Sequence, residues 1–328
     1  MCSISKYLIF ISLITLISCK RDLVTEVVND GIPPNIPVGL TVVFAVDGEV
    51  KIEWQRNNEA GIDGYNIYKA INDTMNFLKT GFTKDNFFYD DSLEYDTTYF
   101  YRVTATDIFG LESKPSIIVS AKPVNKYKPL RVREPEINAR NWTDTIKIVL
   151  NWKPSGETDI KNYLIYRSDK PGFDISSKTL LDSSVSFTYS DTTNIKILKQ
   201  YFYKIVAQDK GGLTSRSSAE LTDKVLDKPL PVFPAPNDTV DYFGEFKIKT
   251  AGAAARYKLI VKTNPFTGTI FEKDFSSNLG HTQISVPASN LVMDTYKTYY
   301  WQIFTFTVND FNPNSISELS KFTIIHKQ

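Results

Sequence analysis

Two stretches of this chain are near copies of each other, and that repetition limits the folds open to it more than any other feature. Val50-Lys-Ile52-Glu-Trp54 alternates apolar and polar residues as a half-buried strand does, and Ile148-Val-Leu150-Asn-Trp152 repeats it. Gly64-Tyr65-Asn-Ile67-Tyr68 is matched by Asn162-Tyr163-Leu-Ile165-Tyr166, and Phe88-Tyr89-Asp90-Asp91 by Tyr189-Ser-Asp191. The step from Trp to Tyr is 11 residues in both copies (65 − 54 and 163 − 152). The closing stretches run from Tyr99 to Ser113 and from Tyr201 to Ser215, with turns at Gly110 and Gly212, 102 residues apart. A period of about a hundred residues with two-residue alternation inside it specifies an array of β-sandwiches, not a solenoid of short units.

Along Tyr99, Tyr101, Val103 and Ala105 alternate side chains should enter a core, while Phe100, Arg102 and Thr104 face out. A third copy has drifted. Tyr257-Lys-Leu259-Ile-Val261 and Tyr299-Tyr-Trp301-Gln-Ile303 match the third and sixth strands, Ile248 takes the tryptophan position, and Asn309–Asn314 forms a longer last turn. Proline-rich joints at 123–135 and 223–236 separate the copies, and Pro229, Pro231, Pro234 and Pro236 stiffen the second. The expected organisation is a first sandwich over 38–123, a second over 129–226 and a third over 229–328.

These residues resemble fibronectin type III domains. Trp54 and Trp152 match that family's core tryptophan, and Leu93-Glu-Tyr-Asp-Thr-Thr-Tyr99 its Leu-x-Pro-Gly-Thr-x-Tyr corner, with Tyr95 where proline is usual. The resemblance implies an all-β fold of three tandem immunoglobulin-like sandwiches. It also implies that the hydroxyls of Tyr99 and Tyr201 bond back to the chain.

Composition bounds the function. Of 328 residues 42% are hydrophobic and 23% charged, enough apolar content for cores in every copy. A formal net charge of +1 gives no electrostatic reason to expect nucleic acid. The two cysteines, Cys2 and Cys19, both precede the repeats, so no disulfide can staple a sandwich.

Residues 1–18 read as a signal peptide: Lys6 is the positive region, and Tyr7 to Ser18 an apolar run too short to span a bilayer. Leu16-Ile17-Ser18-Cys19 resembles the lipobox of bacterial lipoproteins. The resemblance implies that Cys19 becomes an acylated N-terminus, with residues 19–37 as anchor and tether. Lys20-Arg21-Asp22, with no acidic residue directly after the cysteine, implies by the same resemblance a place in the outer membrane.

No phosphate loop, His-Glu-x-x-His or Gly-x-Ser-x-Gly occurs, and the two histidines, His281 and His326, read as solvated polar residues. No catalytic residue, cofactor or metal is expected. Asp90-Asp91 lacks the further oxygen ligands of a calcium site and reads as a polar strand end. Phe82, Phe87, Phe88, Tyr242 and Phe243 are candidates for stacking on sugar rings, or for capping sandwich ends. Asp followed by Ser or Thr and a small or aliphatic residue recurs at Thr74, Ser92, Thr97, Thr145, Thr192 and Thr239, where composition predicts roughly one or two such triplets. The triplet resembles the O-glycosylation sequon of Bacteroidota, and it equally suits turn-to-strand junctions.

The expected function is a non-enzymatic, membrane-anchored envelope lipoprotein that displays sandwiches to a polysaccharide or envelope protein. A spacer subunit of a larger envelope assembly is the alternative, and an accessory module of a glycan-degrading system a remoter one.

Overall fold

The alternating segments become strands in the computed structural model, which describes residues 29–142, 145–308 and 311–326. The first repeat supplies β1 (Thr41–Val46), β2 (Glu49–Glu53), β3 (Ile62–Ile71), β4 (Leu78–Thr83), β5 (Phe87–Asp90), β6 (Tyr99–Asp107) and β7 (Val119–Ala121). The second supplies β8 (Arg133–Arg140), β9 (Lys147–Lys153), β10 (Ile160–Ser168), β11 (Leu180–Ser184), β12 (Thr188–Asp191), β13 (Gln200–Asp209) and β14 (Leu221–Lys224). The third supplies β15 (Leu230–Phe233), β16 (Asp238–Val240), β17 (Glu245–Lys249), β18 (Ala255–Lys262), β19 (Thr269–Ser277), β20 (Gln283–Pro287), β21 (Thr298–Phe306), β22 (Ser315–Ile316) and β23 (Ser320–Ile324).

The first two repeats share one strand order: β1-β2-β5 with β4-β3-β6-β7, and β8-β9-β12 with β11-β10-β13-β14. The third repeats it in β15-β17-β20 and β19-β18-β21-β23, then adds β16 in parallel beside β23, with Thr239 opposite Thr323. Every regular element among the described residues is a strand. The fold is a tandem array of fibronectin-type-III-like β-sandwiches.

The chain divides into two compact units, one of residues 29–41, 52–88 and 100–120, the other of 42–51, 89–99 and the described residues from 121 on. In the first unit Trp54, Tyr65, Ile67, Tyr101, Val103 and Ala105 are buried, and the Trp54 ring meets Tyr65 edge-on at 5.2 Å. Thr104, expected to face out, is buried because Glu112 folds over it. The Glu112 carboxylate accepts hydrogen bonds from Thr104, from Tyr68 at 2.7 Å and from Asn66 at 3.0 Å. In the second unit Trp152 and Tyr163 repeat the 5.2 Å edge contact.

The corner expected at Tyr99 and Tyr201 is present and extends to the drifted copy. The hydroxyls of Tyr99, Tyr201 and Tyr299 accept the backbone N–H of Glu94 (3.0 Å), Lys196 (3.0 Å) and Asp294 (2.7 Å), each five residues upstream. Three residues before each tyrosine the backbone turns left-handed, at Asp96 (φ 60°), Leu198 (φ 63°) and Tyr296 (φ 58°). None is glycine, so the hydroxyl bond and the packing hold a conformation that costs of order 1–3 kcal/mol. The Asp107 and Asp209 turns also form as expected: each carboxylate caps its loop, and Gly110 and Gly212 take φ of 83° and 92°.

The tryptophan position of the third repeat needs correction. The backbone N–H of Trp54 and Trp152 bonds to the strand that follows, at Asn86 and Phe187, and the residue in that place is Thr250, bonded to Thr282. Ile248 lies opposite Ile284 as Leu150 lies opposite Tyr189, one inward position earlier. The missing indole comes from the opposite sheet, where Trp301 stands two residues past the corner tyrosine, as Tyr101 and Tyr203 do. It is fully buried, with Phe246 at 4.8 Å.

A second shared device lies at the sixth strand's outer neighbour. Ser215 and Ser218 place their hydroxyls where carbonyls would be, accepting Ala207 N–H (3.0 Å) and Ile205 N–H (3.0 Å). Ser113 and Ser116 do the same for Ala105 and Val103, each at 2.9 Å.

Two predictions follow from these bonds. Tyr299→Phe leaves the Asp294 N–H without its acceptor and should lower stability by about 1–3 kcal/mol, read by urea denaturation followed by tryptophan fluorescence. Burial pushes the Glu112 carboxyl up, but the bonds from Thr104, Tyr68 and Asn66 outweigh it and hold the group below the usual carboxylate range. Its stabilisation is therefore present above the unfolded value of 4.5 and lost as pH falls through the lower folded value. Glu112→Gln should flatten the acid limb of a stability-against-pH curve.

Candidate functional site

Cys19 and the signal peptide lie outside the described residues. Thr74, Ser92, Thr145, Thr192 and Thr239 are exposed and Thr97 is half-buried. The preceding aspartates have local tasks: Asp73 caps Met75 N–H at 2.8 Å, Asp238 caps Ala235 N–H at 2.7 Å, and Asp96 pairs with Lys122 at 3.1 Å. Asp191 is buried, holding Arg167 (2.7 Å), Tyr203 (2.7 Å) and Thr193 N–H (2.8 Å). Five of these residues are thus exposed, and Asp73, Asp191 and Asp238 each accept a backbone N–H in a local turn.

The aromatic candidates separate. Phe82 is exposed and lies across Gly64, where a Cβ would meet its ring at 2.4 Å; Phe87 is half-buried. Phe88 covers Gly81 in the same way, at 2.5 Å. Both glycines exist to let a ring lie on the backbone. Phe243 requires correction: it is a core residue, edge-on to Phe233 (5.3 Å), Phe246 (5.0 Å) and Phe322 (5.5 Å), and a ring enclosed this way has no free face for a sugar. Tyr242 is half-buried and its hydroxyl donates to the Leu291 carbonyl at 3.1 Å.

Sequence reasoning overlooked other rings. Phe311 (91% exposed), Phe266 (87%) and Tyr296 (79%) all belong to the third repeat, and no other exposed aromatic among the described residues passes 58%. Phe266 was within reach of the sequence. Asn264-Pro-Phe-Thr267 sits between two alternating segments, and Asn264 Oδ1 accepts the N–H of Phe266 (3.0 Å) and Thr267 (2.8 Å), which turns the ring outward. His281 stands 3.3 Å from Asp227 and His326 2.6 Å from Asp241, all four side chains well exposed.

The joint between the second and third repeats is built of buried polar groups. Asn314 is fully buried: its amide oxygen accepts Leu226 N–H at 2.8 Å, and its amide nitrogen donates to the Lys224 carbonyl at 2.8 Å and Thr307 Oγ1 at 2.9 Å. Asn141 answers from the other side, donating its backbone N–H to the Asn314 carbonyl (2.6 Å) and its amide to the Leu226 carbonyl (2.8 Å). Ser315 Oγ donates to the Asp227 carbonyl at 2.7 Å, and Trp142 Nε1 to the Pro313 carbonyl at 2.8 Å. Nearby, burial pushes the Asp223 carboxyl up against the bonds it accepts from the backbone N–H of Ala139 and Lys224.

No family model matches the chain. It is 26% identical over 204 residues to Exoglucanase B of Cellulomonas fimi, a match that covers 59% of this chain and 17% of that enzyme. It is 28% identical over 225 residues to a titin homolog of Caenorhabditis elegans, covering 62% of this chain and 1% of that protein. The chain thus spans only a small part of the length of these relatives. Among solved structures the FN1–FN3 domains of chicken CNTN1 align with 89% of this chain at 12% identity and a TM-score of 0.35. The fold assignment rests on the strand orders and corner tyrosines of the chain itself.

Asn314→Ala removes the partners of Leu226 N–H and the Lys224 carbonyl together. It should cost about 2–4 kcal/mol and open the 223–230 segment to limited proteolysis, with cleavage mapped by mass spectrometry.

Proposed function

We propose that this chain is a non-enzymatic display module of the bacterial envelope. Cys19 carries the lipid that holds it to the outer membrane, residues 20–37 lift it from the surface, and the sandwiches present the third repeat to a polysaccharide or envelope protein. The observation that carries the reading is the concentration of exposed aromatic rings, Phe266, Tyr296 and Phe311, in the repeat farthest along the chain from Cys19. Rings that expose most of their surface contribute little to folding and are the usual means of gripping sugar faces or protein hot spots. A match within an exoglucanase fits an accessory place beside glucan chemistry. The hydrogen-bonded joint favours a second reading, a spacer that holds two sandwiches in a set relation within a larger assembly.

Affinity electrophoresis through gels containing a panel of polysaccharides tests the first reading. One glycan should retard the protein, and combined Phe266→Ala, Tyr296→Ala and Phe311→Ala should abolish the retardation while shifting stability by no more than about 0.5 kcal/mol per site. Passage of the wild type through every gel would leave the spacer reading. Cys19→Ala should move the protein from the membrane to the soluble fraction on cell fractionation; a variant that stays with the membrane would defeat the lipid anchor.

A further inference from the structure

The outer face of the β4-β3-β6-β7 sheet holds a cation that the protein does not answer. Alternate residues of β6 turn away from the core, and Arg102 is one of them. Its guanidinium lies over two rings, 4.3 Å from the centre of Phe77 and 5.6 Å from that of Tyr68. Its Nε–H is buried and has no acceptor. The side chain stays partly open to solvent, and no acid among the described residues pairs with it. Glu112 shares this face but is taken by Thr104, Tyr68 and Asn66. A guanidinium drawn partly out of water without a counter-charge is costly, and the two rings hold it in place without supplying an acceptor.

The second repeat shows the same place with its cation answered. Lys204 stands 102 residues on (204 − 102), over the ring of Phe173 at 4.8 Å as Arg102 stands over Phe77. It donates to the Phe173 carbonyl and pairs with Glu220 at 3.7 Å. Glu220 is held in turn by the Gly172 N–H at 2.9 Å. The two repeats keep one register here, since Ser116 and Ser218 accept the N–H of Val103 and Ile205. Two residues beyond those serines stand Ile118 and Glu220, so the first repeat carries an exposed isoleucine in the place of the acid. Lys79 lies opposite Tyr68 on β4, and Met75 is exposed in the loop that leads to Phe77.

We infer that this face docks a protein segment in which an Asp or Glu is set among aliphatic residues. Its carboxylate takes the terminal amino groups of Arg102, and its aliphatic chains lie on Ile118. Charge complementarity assigns the first part, because Arg102 lacks the acid that its counterpart Lys204 possesses. The exposed side chains assign the second. Ile118 and Met75 pack well against apolar side chains, whereas a sugar ring needs an open aromatic face, and here Phe77 and Tyr68 turn theirs to Arg102. A guanidinium already held between rings loses little freedom on binding, and Arg and Tyr are the usual anchors of protein interfaces. The site belongs to the first repeat and does not depend on the exposed rings of the third.

The full chain in detergent, applied to an array of immobilised short peptides, tests this. Each peptide carries one Asp or Glu among Leu, Ile and Val, and each has a copy with the matching Asn or Gln. Wild type should prefer the carboxylate peptides over their amide copies by about tenfold or more. Ile118→Glu supplies the acid of the second repeat at an exposed position, so it should erase that preference without lowering the thermal midpoint. Arg102→Gln should erase it too; should that variant fold poorly, Ile118→Glu carries the test alone. Equal retention of the amide copies overturns the inference, as does a preference that survives Ile118→Glu, or no retained peptide at all. Retardation by polygalacturonate in affinity gels, lost in Ile118→Glu while no peptide is retained, overturns the protein partner and assigns the face to an acidic polysaccharide.

Discussion

The hydroxyl of the corner tyrosine governs register in all three sandwiches. By capturing an N–H five residues upstream, Tyr99, Tyr201 and Tyr299 close the crossover between the two sheets at a set length. A strand slipped by one residue presents every side chain to the wrong face. With the tyrosine held, the residues at steps of two beyond it enter the core: Tyr101, Val103 and Ala105, then Tyr203, Ile205 and Ala207, then Trp301 and Ile303. The chain has no cysteine after Cys19, so this bond and the core it aligns do the work that a disulfide does in many exported sandwiches.

Core chemistry can drift as long as register does not. The third repeat loses the indole of one sheet, replacing it with Thr250, and gains one in the other at Trp301. The hydroxyl of Thr250 stays bonded, to the carbonyls of Gly280 and Thr282, so the exchange leaves no polar atom stranded at that position. The indole is thus carried by the opposite sheet, where Trp301 packs against Phe246. The added β16, parallel to β23, covers an edge that the first two repeats leave to short strands.

Most of the fold was legible in the sequence because its signals are local. Alternation, the eleven-residue Trp–Tyr step and the Asp-x-x-Gly turns each lie within a dozen residues and map directly onto strands and caps. The third tryptophan site is not legible from spacing, because the loop between the second and third strands is shorter there and Thr250 stands only 7 residues before Tyr257 (257 − 250). Only the cross-strand partner, Thr282 against Thr250, resolves it. The candidate sites were less legible for the same reason. Phe243 reads as an exposed ring in a row of polar residues, and its burial depends on Phe322, which lies 79 positions away (322 − 243). The Asp-Ser/Thr triplets are visible in the sequence, yet Asp73 and Asp238 cap turns and Asp191 is a buried partner of Arg167 and Tyr203, so at these positions the motif serves local folding whether or not its hydroxyls are modified.

The joints were illegible for a deeper physical reason. An apolar joint would show as hydrophobic residues in a linker, but an apolar contact tolerates sliding. The joint between the second and third repeats uses amides instead, and Asn314 satisfies its donors and its acceptor in a single orientation. Displacing either sandwich by the length of one hydrogen bond would strand several buried polar groups at once. Asparagine in a loop carries no such signature in sequence, since its usual place there is solvent. The same logic separates the two joints. One closes its polar inventory within the protein, whereas at the other Asp209 Oδ2 and Asn125 Oδ1 are buried without a hydrogen-bond partner, although Asp209 Oδ1 caps Leu213.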